Sequence, residues 1–156
     1  LDITRYSSLR LRDISYDFYQ KNIKKKLIFQ KFSGKIFIDY PYNIVWEDHY
    51  HGIHFTSNNL HHYDQYKKDP RIIYSASCHT EDDINLCNKK LLDFILISPV
   101  LRSHNMHSAL KWSRFSELSE YSYLPTYALG GLSSQTNDYQ KCIEHNGFGI
   151  AGISEI

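Results

Sequence analysis

The sequence has few of the residues and runs that build disulfide-rich, zinc-binding or membrane proteins. Its three cysteines, Cys78, Cys87 and Cys142, are scattered, and no two form a C-x-x-C pair. This argues against a disulfide framework and a zinc site, and it favours a reducing compartment. No apolar run approaches the ~20 residues that span a bilayer, and the first residues show no signal-peptide pattern. We therefore expect a cytoplasmic protein with no membrane partner.

The sequence also lacks a large excess of charge of either sign. The formal net charge is +1 and the isoelectric point is about 7.9, so there is no global electrostatic reason to expect a nucleic-acid partner. The only basic cluster, at 24–26, is predicted to be a solvated face of a helix. A chain of 156 residues that is 42% hydrophobic and 22% charged is typical of a globular protein. We expect one domain over 1–156.

Short apolar runs alternate with polar or amphipathic segments along the chain. Seven runs are predicted to be strands: 7–12, 35–39, 52–56, 71–77, 93–100, 125–131 and 147–153. Helical patterns cover 14–32, 80–92, 112–121 and 135–146, and the polar segment 58–69 is expected to be helical or irregular. Thr80 and Asp83 have the spacing of a capping box, which predicts a helix beginning there. Alternating strands and helices imply a parallel sheet with right-handed crossovers.

Two architectures are compatible with this order, an open doubly wound sheet and a (β/α)8 barrel. No G-x-G-x-x-G motif follows the first predicted strand, which disfavours a dinucleotide-binding fold. Glycines cluster instead with the last two predicted strands, at 130–131 and 149–152. Barrels that bind phosphate usually do so with the loops after the last two strands. The sequence therefore favours the (β/α)8 barrel.

A histidine lies where one predicted strand gives way to a helix. In SASCHTEDDI (75–84), His79 follows the strand and precedes the helix. This places it at the carboxyl end of the barrel strands, where barrels expose reactive side chains. An imidazole titrates near neutrality and suits general acid and base chemistry. The neighbouring Cys78 is expected to point to the opposite face and to pack there.

The other histidines give weaker signals. His54 lies on a predicted strand and is expected to be a hydrogen-bonded buried residue rather than a base. Four more histidines lie close together in a polar part of the sequence: His49, His51, His61 and His62. They lack the helical spacing and the carboxylate of a zinc motif, so a polar loop explains them better.

Five segments, taken in order, resemble the thiamine phosphate synthase and thiazole tautomerase superfamily. They are GIHFT (52–56), SASCHTEDDI (75–84), DFILISPV (93–100), YALGGL (127–132) and GIAGI (149–153), within a match over about residues 8 to 154. The resemblance implies a (β/α)8 barrel of thiamine biosynthesis. Segment 7–12 resembles the second strand of the family, which implies that the first strand and helix are missing from this sequence. We expect that unit to lie upstream, to be disordered or cut away, or to be replaced by a partner. Fusion to a Nudix hydrolase, as in some members, is a further option.

The resemblance also implies that the magnesium site of the synthases has changed. Synthases of the family hold Mg²⁺ and pyrophosphate with a Gln-x-Arg-x-Lys pattern, an Asn-Asp pair and a later Asp. The corresponding positions here are Arg10, Arg12 and Ile14, then Asp39 and Tyr40, then Asn59. The segment 101–109 lacks the threonines and lysine of the family's loop. We expect no cofactor, with Mg²⁺ only if the protein is a synthase.

What remains points to a metal-independent isomerase. Tautomerases of the family use a histidine at this position for a proton shift, so His79 is the predicted catalytic residue. The predicted phosphate-binding residues are Gly130, Gly131, Ile150, Ala151 and Gly152. The predicted substrate-binding residues are Ser77, Arg12 and Ser98. The favoured hypothesis is a thiazole phosphate tautomerase. A diverged thiamine phosphate synthase and a non-catalytic domain that binds thiamine phosphate remain open alternatives. The expected partner is a thiazole or thiamine phosphate, and a homodimer would be unsurprising.

Overall fold

The apolar runs of the sequence form one sheet of seven parallel strands. The computed structural model describes residues 7–12, 32–40, 50–65, 69–102 and 108–152. The strands are β1 (Ser8–Leu11), β2 (Lys35–Asp39), β3 (Gly52–Phe55), β4 (Ile73–Cys78), β5 (Phe94–Ile97), β6 (Thr126–Leu129) and β7 (Gly149–Ala151), and they lie in the sheet in chain order. All seven predicted strands and their parallel pairing are confirmed. The helix predicted over 14–32 lies outside the described residues.

Within the described ranges, α-helices follow three of the strands. They are α1 (Glu81–Lys90), α2 (Lys111–Glu120) and α3 (Asp138–Glu144), and a 3-10 helix covers Ser57–Gln65. The capping box predicted for α1 is confirmed: the Thr80 hydroxyl accepts from the Asp83 N–H, and the Asp83 carboxylate accepts from the Thr80 N–H. None of the helices in the described parts of the chain is long and apolar enough to cross a membrane.

Among the residues that the structure describes, the sheet is open rather than closed into a barrel. β1 pairs with β2 and β7 pairs with β6, and no ladder between the described residues joins β1 to β7. The sequence predicted a (β/α)8 barrel without its first strand and helix, and the structure shows a seven-stranded parallel half-barrel of the TIM-barrel type; the missing unit stays a prediction. Closure of a barrel of this type needs eight strands in a consistent stagger, and the described residues supply seven. The strand pattern predicts how many strands form but not whether the two edges meet.

The two faces of the sheet have different partners. The outer face packs against the helices and forms the apolar core, which includes Phe55, Tyr74, Ala76, Ile95, Ile97, Ile84, Phe115 and Leu118. Cys78 belongs to this core, and its sulfur lies 3.5 Å from that of Cys87, which confirms the prediction that Cys78 packs away from His79. The inner face carries the polar side chains of β1 to β4, because successive residues of a strand alternate between faces.

Candidate functional site

A bidentate ion pair joins the first two strands on the inner face. Arg10 of β1 donates from Nε to Asp39 Oδ1 at 2.5 Å and from Nη2 to Asp39 Oδ2 at 2.9 Å. The two side chains are only 21% and 15% exposed. The parallel register places Arg10 opposite Phe37, so the arginine reaches one inward position further along β2 to meet Asp39. Both oxygens of this carboxylate are engaged by one guanidinium group.

Beside this pair, His54 of β3 lies between two serines of β4. Its Nδ1 is 2.9 Å from Ser75 Oγ and its Nε2 is 2.9 Å from Ser77 Oγ. The residue is 1% exposed. Burial, and then the charges of Arg10 and Arg12, lower the pKa of His54 well below its ordinary value of 6.5. His54 is therefore neutral at neutral pH, as expected for a hydrogen-bonded buried residue.

His79 follows β4 at the carboxyl end of the sheet, as its place in the sequence predicted. Its side chain is exposed, its backbone N–H donates to Asp83 Oδ2 at 2.8 Å, and its Nδ1 lies 2.7 Å from the carbonyl oxygen of Ser98. A carbonyl oxygen only accepts, so the neutral ring carries its proton on Nδ1. The lone pair is then on Nε2, which can accept a proton from a ligand. Ser98, a predicted substrate-binding residue, thus orients the ring through its backbone.

The two glycines after β6 have a structural role. Gly130 and Gly131 have φ angles of 109° and 72°, in the region that favours glycine. A Cβ on Gly130 would lie 2.9 Å from Pro99 Cα, and one on Gly131 would lie 2.5 Å from Arg102 Cβ. The Gly130 carbonyl also accepts from the N–H groups of Leu101 and Arg102. These contacts account for both glycines, and their role in phosphate binding stays a prediction.

A cavity of about 380 Å³ lies between the two edges of the sheet; we call it the seam cavity. Its apolar lining is Leu9, Phe37, Phe94, Leu96, Leu129, Leu132, Ile150 and Ala151, and the rest is Ser7, Ser8, Ser134, Gly152, Arg10 and Arg12. Among these described lining residues two are arginines and none carries a carboxylate. The seam cavity therefore offers an apolar wall and a cationic one.

The structure brings only some of the predicted site residues together. Arg12 lines the seam cavity with three predicted phosphate-binding residues, Ile150, Ala151 and Gly152. The other predicted residues do not line it: His79, Ser77, Ser98, Gly130 and Gly131. Ser77 is bonded to His54, and His79 to Ser98. The predicted catalytic and substrate-binding residues thus form three groups, Arg12 at the seam cavity, Ser77 with His54, and His79 with Ser98, and none of the predicted residues is excluded by this placement.

The sequence did not predict Arg10 or the aromatic row of Phe37, Phe94 and Tyr127, of which Phe37 and Phe94 line the seam cavity. The ring centroids of Phe37 and Phe94 lie 5.4 Å apart, and those of Phe94 and Tyr127 lie 5.3 Å apart. Gly52 packs beneath Phe37 and Gly149 against Tyr127, where a larger residue would meet the ring. The signal for Arg10 was available, because it stands two residues from Arg12 on one strand and therefore shares its face.

The described residues do not fit the magnesium site that the resemblance implies. Asp39 is occupied by Arg10. Asn59 is also engaged: its Oδ1 accepts from the Thr56 N–H at 2.8 Å, and its Nδ2 donates to the Tyr40 carbonyl at 2.7 Å. Mg²⁺ requires carboxylate or other hard oxygen ligands in octahedral array. Within the described ranges no group of three or more His, Cys, Asp or Glu side chains is placed to hold a metal ion. Ile14 lies outside these ranges.

The other histidines are engaged in local contacts. His51 Nδ1 accepts from the Ile36 N–H at 3.1 Å, and the rings of His61 and His62 lie 4.0 Å apart. His49 lies outside the described residues.

These features define a class of protein, a parallel α/β half-barrel of the TIM-barrel type with a cavity between the edges of its sheet. Comparison with known proteins places it more narrowly. The family model for thiamine monophosphate synthase matches residues 5–156, and the chain belongs to that family. The expectation from the sequence is confirmed at this level, and no comparison distinguishes synthases from tautomerases.

Relatives in sequence and in structure agree with this family. The chain is 25% identical over 153 residues to "Putative thiamine-phosphate synthase 2" of Aquifex aeolicus, covering 96% of this chain and 81% of that protein. The thiamine phosphate pyrophosphorylase of Pyrococcus furiosus superposes with a TM-score of 0.71 at 13% identity, over 94% of this chain and 72% of that one. FabK of Thermotoga maritima superposes with a TM-score of 0.64 at 9% identity, over 90% of this chain and 47% of its own. The two structural likenesses show the fold alone.

Proposed function

We propose that this protein is a diverged thiamine phosphate synthase that binds a thiazole or thiamine phosphate in the seam cavity. The observation that best supports this proposal is that one cavity combines an apolar wall with Arg10 and Arg12. A heterocyclic ring suits the apolar wall, and a phosphate suits guanidinium groups, which bind its oxygens in a fork. The volume of about 380 Å³ lies in the range of small-molecule sites, about 300–1,000 Å³.

In the synthase reaction a pyrimidine diphosphate and a thiazole phosphate are joined and pyrophosphate is expelled. The residues of this chain would contribute binding and charge neutralisation. Phe37 and Phe94, which line the cavity, would support the rings, and the two arginines would stabilise the negative charge that builds up on the departing pyrophosphate. No step here is assigned to a metal, because Asp39 and Asn59 are already engaged.

Calorimetric titration with thiamine phosphate tests this proposal. We expect Arg12→Gln to weaken binding by about ten- to a hundredfold, the usual effect of losing a hydrogen bond between charged groups. Arg71→Gln is the matched control, because Arg71 is exposed and its ion pair with Asp69 lies outside the seam cavity. If wild type and Arg12→Gln bind thiamine phosphate with equal affinity, the proposal that the ligand binds in the seam cavity is wrong. Release of pyrophosphate when both substrates are supplied then distinguishes a synthase from a domain that only binds its ligand.

A second candidate, a thiazole phosphate tautomerase, is supported by the anchored imidazole of His79. A proton shift needs a base that accepts a proton and returns it elsewhere, and Nε2 of His79 suits this because Ser98 holds Nδ1.

An NMR time course of the thiazole phosphate tautomer tests the second candidate. We expect wild-type protein to accelerate aromatisation and His79→Ala to lose most of the acceleration, at least the ~10²-fold typical of a general base. His145→Gln is the matched control, because His145 makes a similar bond from Nδ1 to a backbone carbonyl in α3. If wild type is no faster than buffer, the tautomerase hypothesis is rejected.

A further inference from the structure

We propose that Arg10, held by Asp39, supplies the fixed positive charge with which the seam cavity binds a phosphate or pyrophosphate group without a divalent cation. The identity of the organic part of the ligand rests on the function proposed above. The role of Arg10 does not, because it concerns only how an anionic group is neutralised.

The carboxylate of Asp39 is fully engaged by Arg10. Both carboxylate oxygens accept from one guanidinium, at 2.5 and 2.9 Å, in a pair that is mostly buried. A metal ion that used this carboxylate would have to displace Arg10 and leave a buried guanidinium without its counter-charge, which is strongly unfavourable. Asp39 is therefore an anchor for the arginine rather than a metal ligand.

The guanidinium group of Arg10 is accessible from the seam cavity. Arg10 lines the seam cavity, whereas Asp39 does not. The bond to Asp39 uses two of the five N–H groups that a guanidinium carries. A ligand in the seam cavity thus meets the cation and not its anchor.

The charged side chains that line the seam cavity are cationic. Arg12 follows two residues after Arg10 and lines the same space, and none of the described lining residues is acidic. The pKa of His54 responds to this charge, because after burial the largest causes of its lowering are Arg10 and Arg12. With His54 neutral, the side chains of Arg10, Arg12 and Asp39 together sum to one positive charge.

The side chain of Arg10 is preorganised for binding by its bonds to Asp39. Arginine side chains lose considerable rotamer freedom when they bind a ligand. Here Nε and Nη2 are already fixed by Asp39, so part of that loss has occurred on folding and binding is correspondingly stronger.

The experiment is a calorimetric titration of the purified chain with inorganic pyrophosphate and, separately, with thiamine phosphate. Each titration is run in EDTA and again in excess Mg²⁺. We expect wild type to bind pyrophosphate in EDTA with the affinity that it shows in Mg²⁺. Arg10→Gln should lower the affinity by about ten- to a hundredfold. Arg10→Lys should fall between them, because it keeps the charge and loses the fork. Asp39→Asn should still bind in EDTA, because Arg10 remains, but more weakly than wild type, because Arg10 is no longer held in place.

The outcomes separate this inference from the proposed function. If wild type binds pyrophosphate only with Mg²⁺, or if Arg10→Gln binds as tightly as wild type, the inference is wrong and the proposed function can stand. If pyrophosphate binds through Arg10 in EDTA while thiamine phosphate does not bind, the proposed function is wrong and the inference stands. Circular dichroism identifies a variant that fails to fold, and if Arg10→Gln does so, Arg10→Lys and Asp39→Asn decide. A folded Asp39→Asn that binds pyrophosphate as tightly as wild type in EDTA would contradict the anchor role of Asp39.

Discussion

His54, a single buried imidazole, links the stability of the fold to pH. Its pKa is lowered well below 6.5, first by burial and then by Arg10 and Arg12. In the unfolded chain the ring has an ordinary pKa near 6.5, so below that pH the unfolded state binds more protons than the folded state. The stabilisation is thus fully present above about pH 6.5 and is lost as the pH falls towards the folded pKa.

We predict that the free energy of unfolding falls with pH below 6.5 by up to about 1.4 kcal/mol per pH unit from this one group. The measurement is urea unfolding at several pH values for wild type and His54→Gln. The difference between the two should diminish as the pH falls, because the variant lacks the group that titrates. His61→Gln, at an exposed position, controls for the removal of a histidine. Parallel pH profiles for wild type and His54→Gln would contradict the assignment.

The cysteines give no comparable switch. The hydrogen bond with Cys87, and then burial, raise the pKa of the Cys78 thiol. Burial also raises the pKa of Cys142. A buried, protonated thiol is a poor nucleophile, so the position of Cys78 beside His79 does not make a nucleophile and base pair.

The start of α1 connects the sheet to the candidate catalytic histidine at the scale of one element. Asp83 Oδ2 accepts from the N–H groups of both His79 and Thr80, and Thr80 Oγ1 accepts from the Asp83 N–H. The capping box thus fixes the backbone on which His79 stands as well as the first turn of the helix.

We predict that Thr80→Ala destabilises the protein by about 1 kcal/mol, the usual cost of losing an N-cap side chain. Thermal and urea unfolding measure this cost, and Thr80→Ala combined with Asp83→Ala should be less than additive because the two side chains share one network. Ser113→Ala, at an exposed position inside α2, is the control and should be close to neutral. A neutral effect of Thr80→Ala would show that α1 is held by packing alone.

Local patterns explain which elements could be predicted from the sequence. The capping box of α1 and the alternation of the strands depend on neighbouring residues, and both predictions are confirmed. The ends of strands were less accurate. The strand predicted over 93–100 is shorter in the structure, where β5 covers Phe94–Ile97. The prediction was too long because Val100 is fully buried although it lies beyond the ladder. Burial without strand pairing leaves the same apolar pattern as a strand.

The candidate site could be predicted only in part, because its contacts join residues distant in sequence. The place of His79 followed from the change from strand to helix. The pair of Arg10 and Asp39 spans 29 residues, and no spacing rule connects them. Gly130 and Gly131 were predicted from the barrel pattern alone, which does not include their packing against Pro99 and Arg102.

At the scale of the whole molecule, the two edges of the sheet should differ from its centre. β4 and β5 have paired strands on both sides, whereas β1 and β7 are each paired on one side only within the described part of the chain. Backbone amides that lack a strand partner exchange through small local openings, whereas central strands exchange through larger ones.

We predict that hydrogen exchange followed by mass spectrometry is slowest in peptides covering β4 and β5 and fastest among the strands in those covering β1 and β7. Peptides of β2 and β6 serve as internal controls of intermediate protection. Equal protection of β1 and β5 would contradict the open half-barrel and indicate that another segment or another copy of the chain pairs with the edge.

The seam cavity has a consequence for the cohesion of the chain. Its lining comes from β1, β2, β5, β6 and β7 and their loops, so residues 7–10 and Arg12 face the same space as residues 150–152, although most of the sequence separates them. A ligand that contacts Arg10 on one side and Ala151 on the other would act as a non-covalent cross-link between the first and last strands. Any ligand that binds only the folded state stabilises it in proportion to the logarithm of its concentration above Kd. Occupancy of this cavity should therefore slow exchange at both edges together, and the first and last strands would open as one cooperative unit.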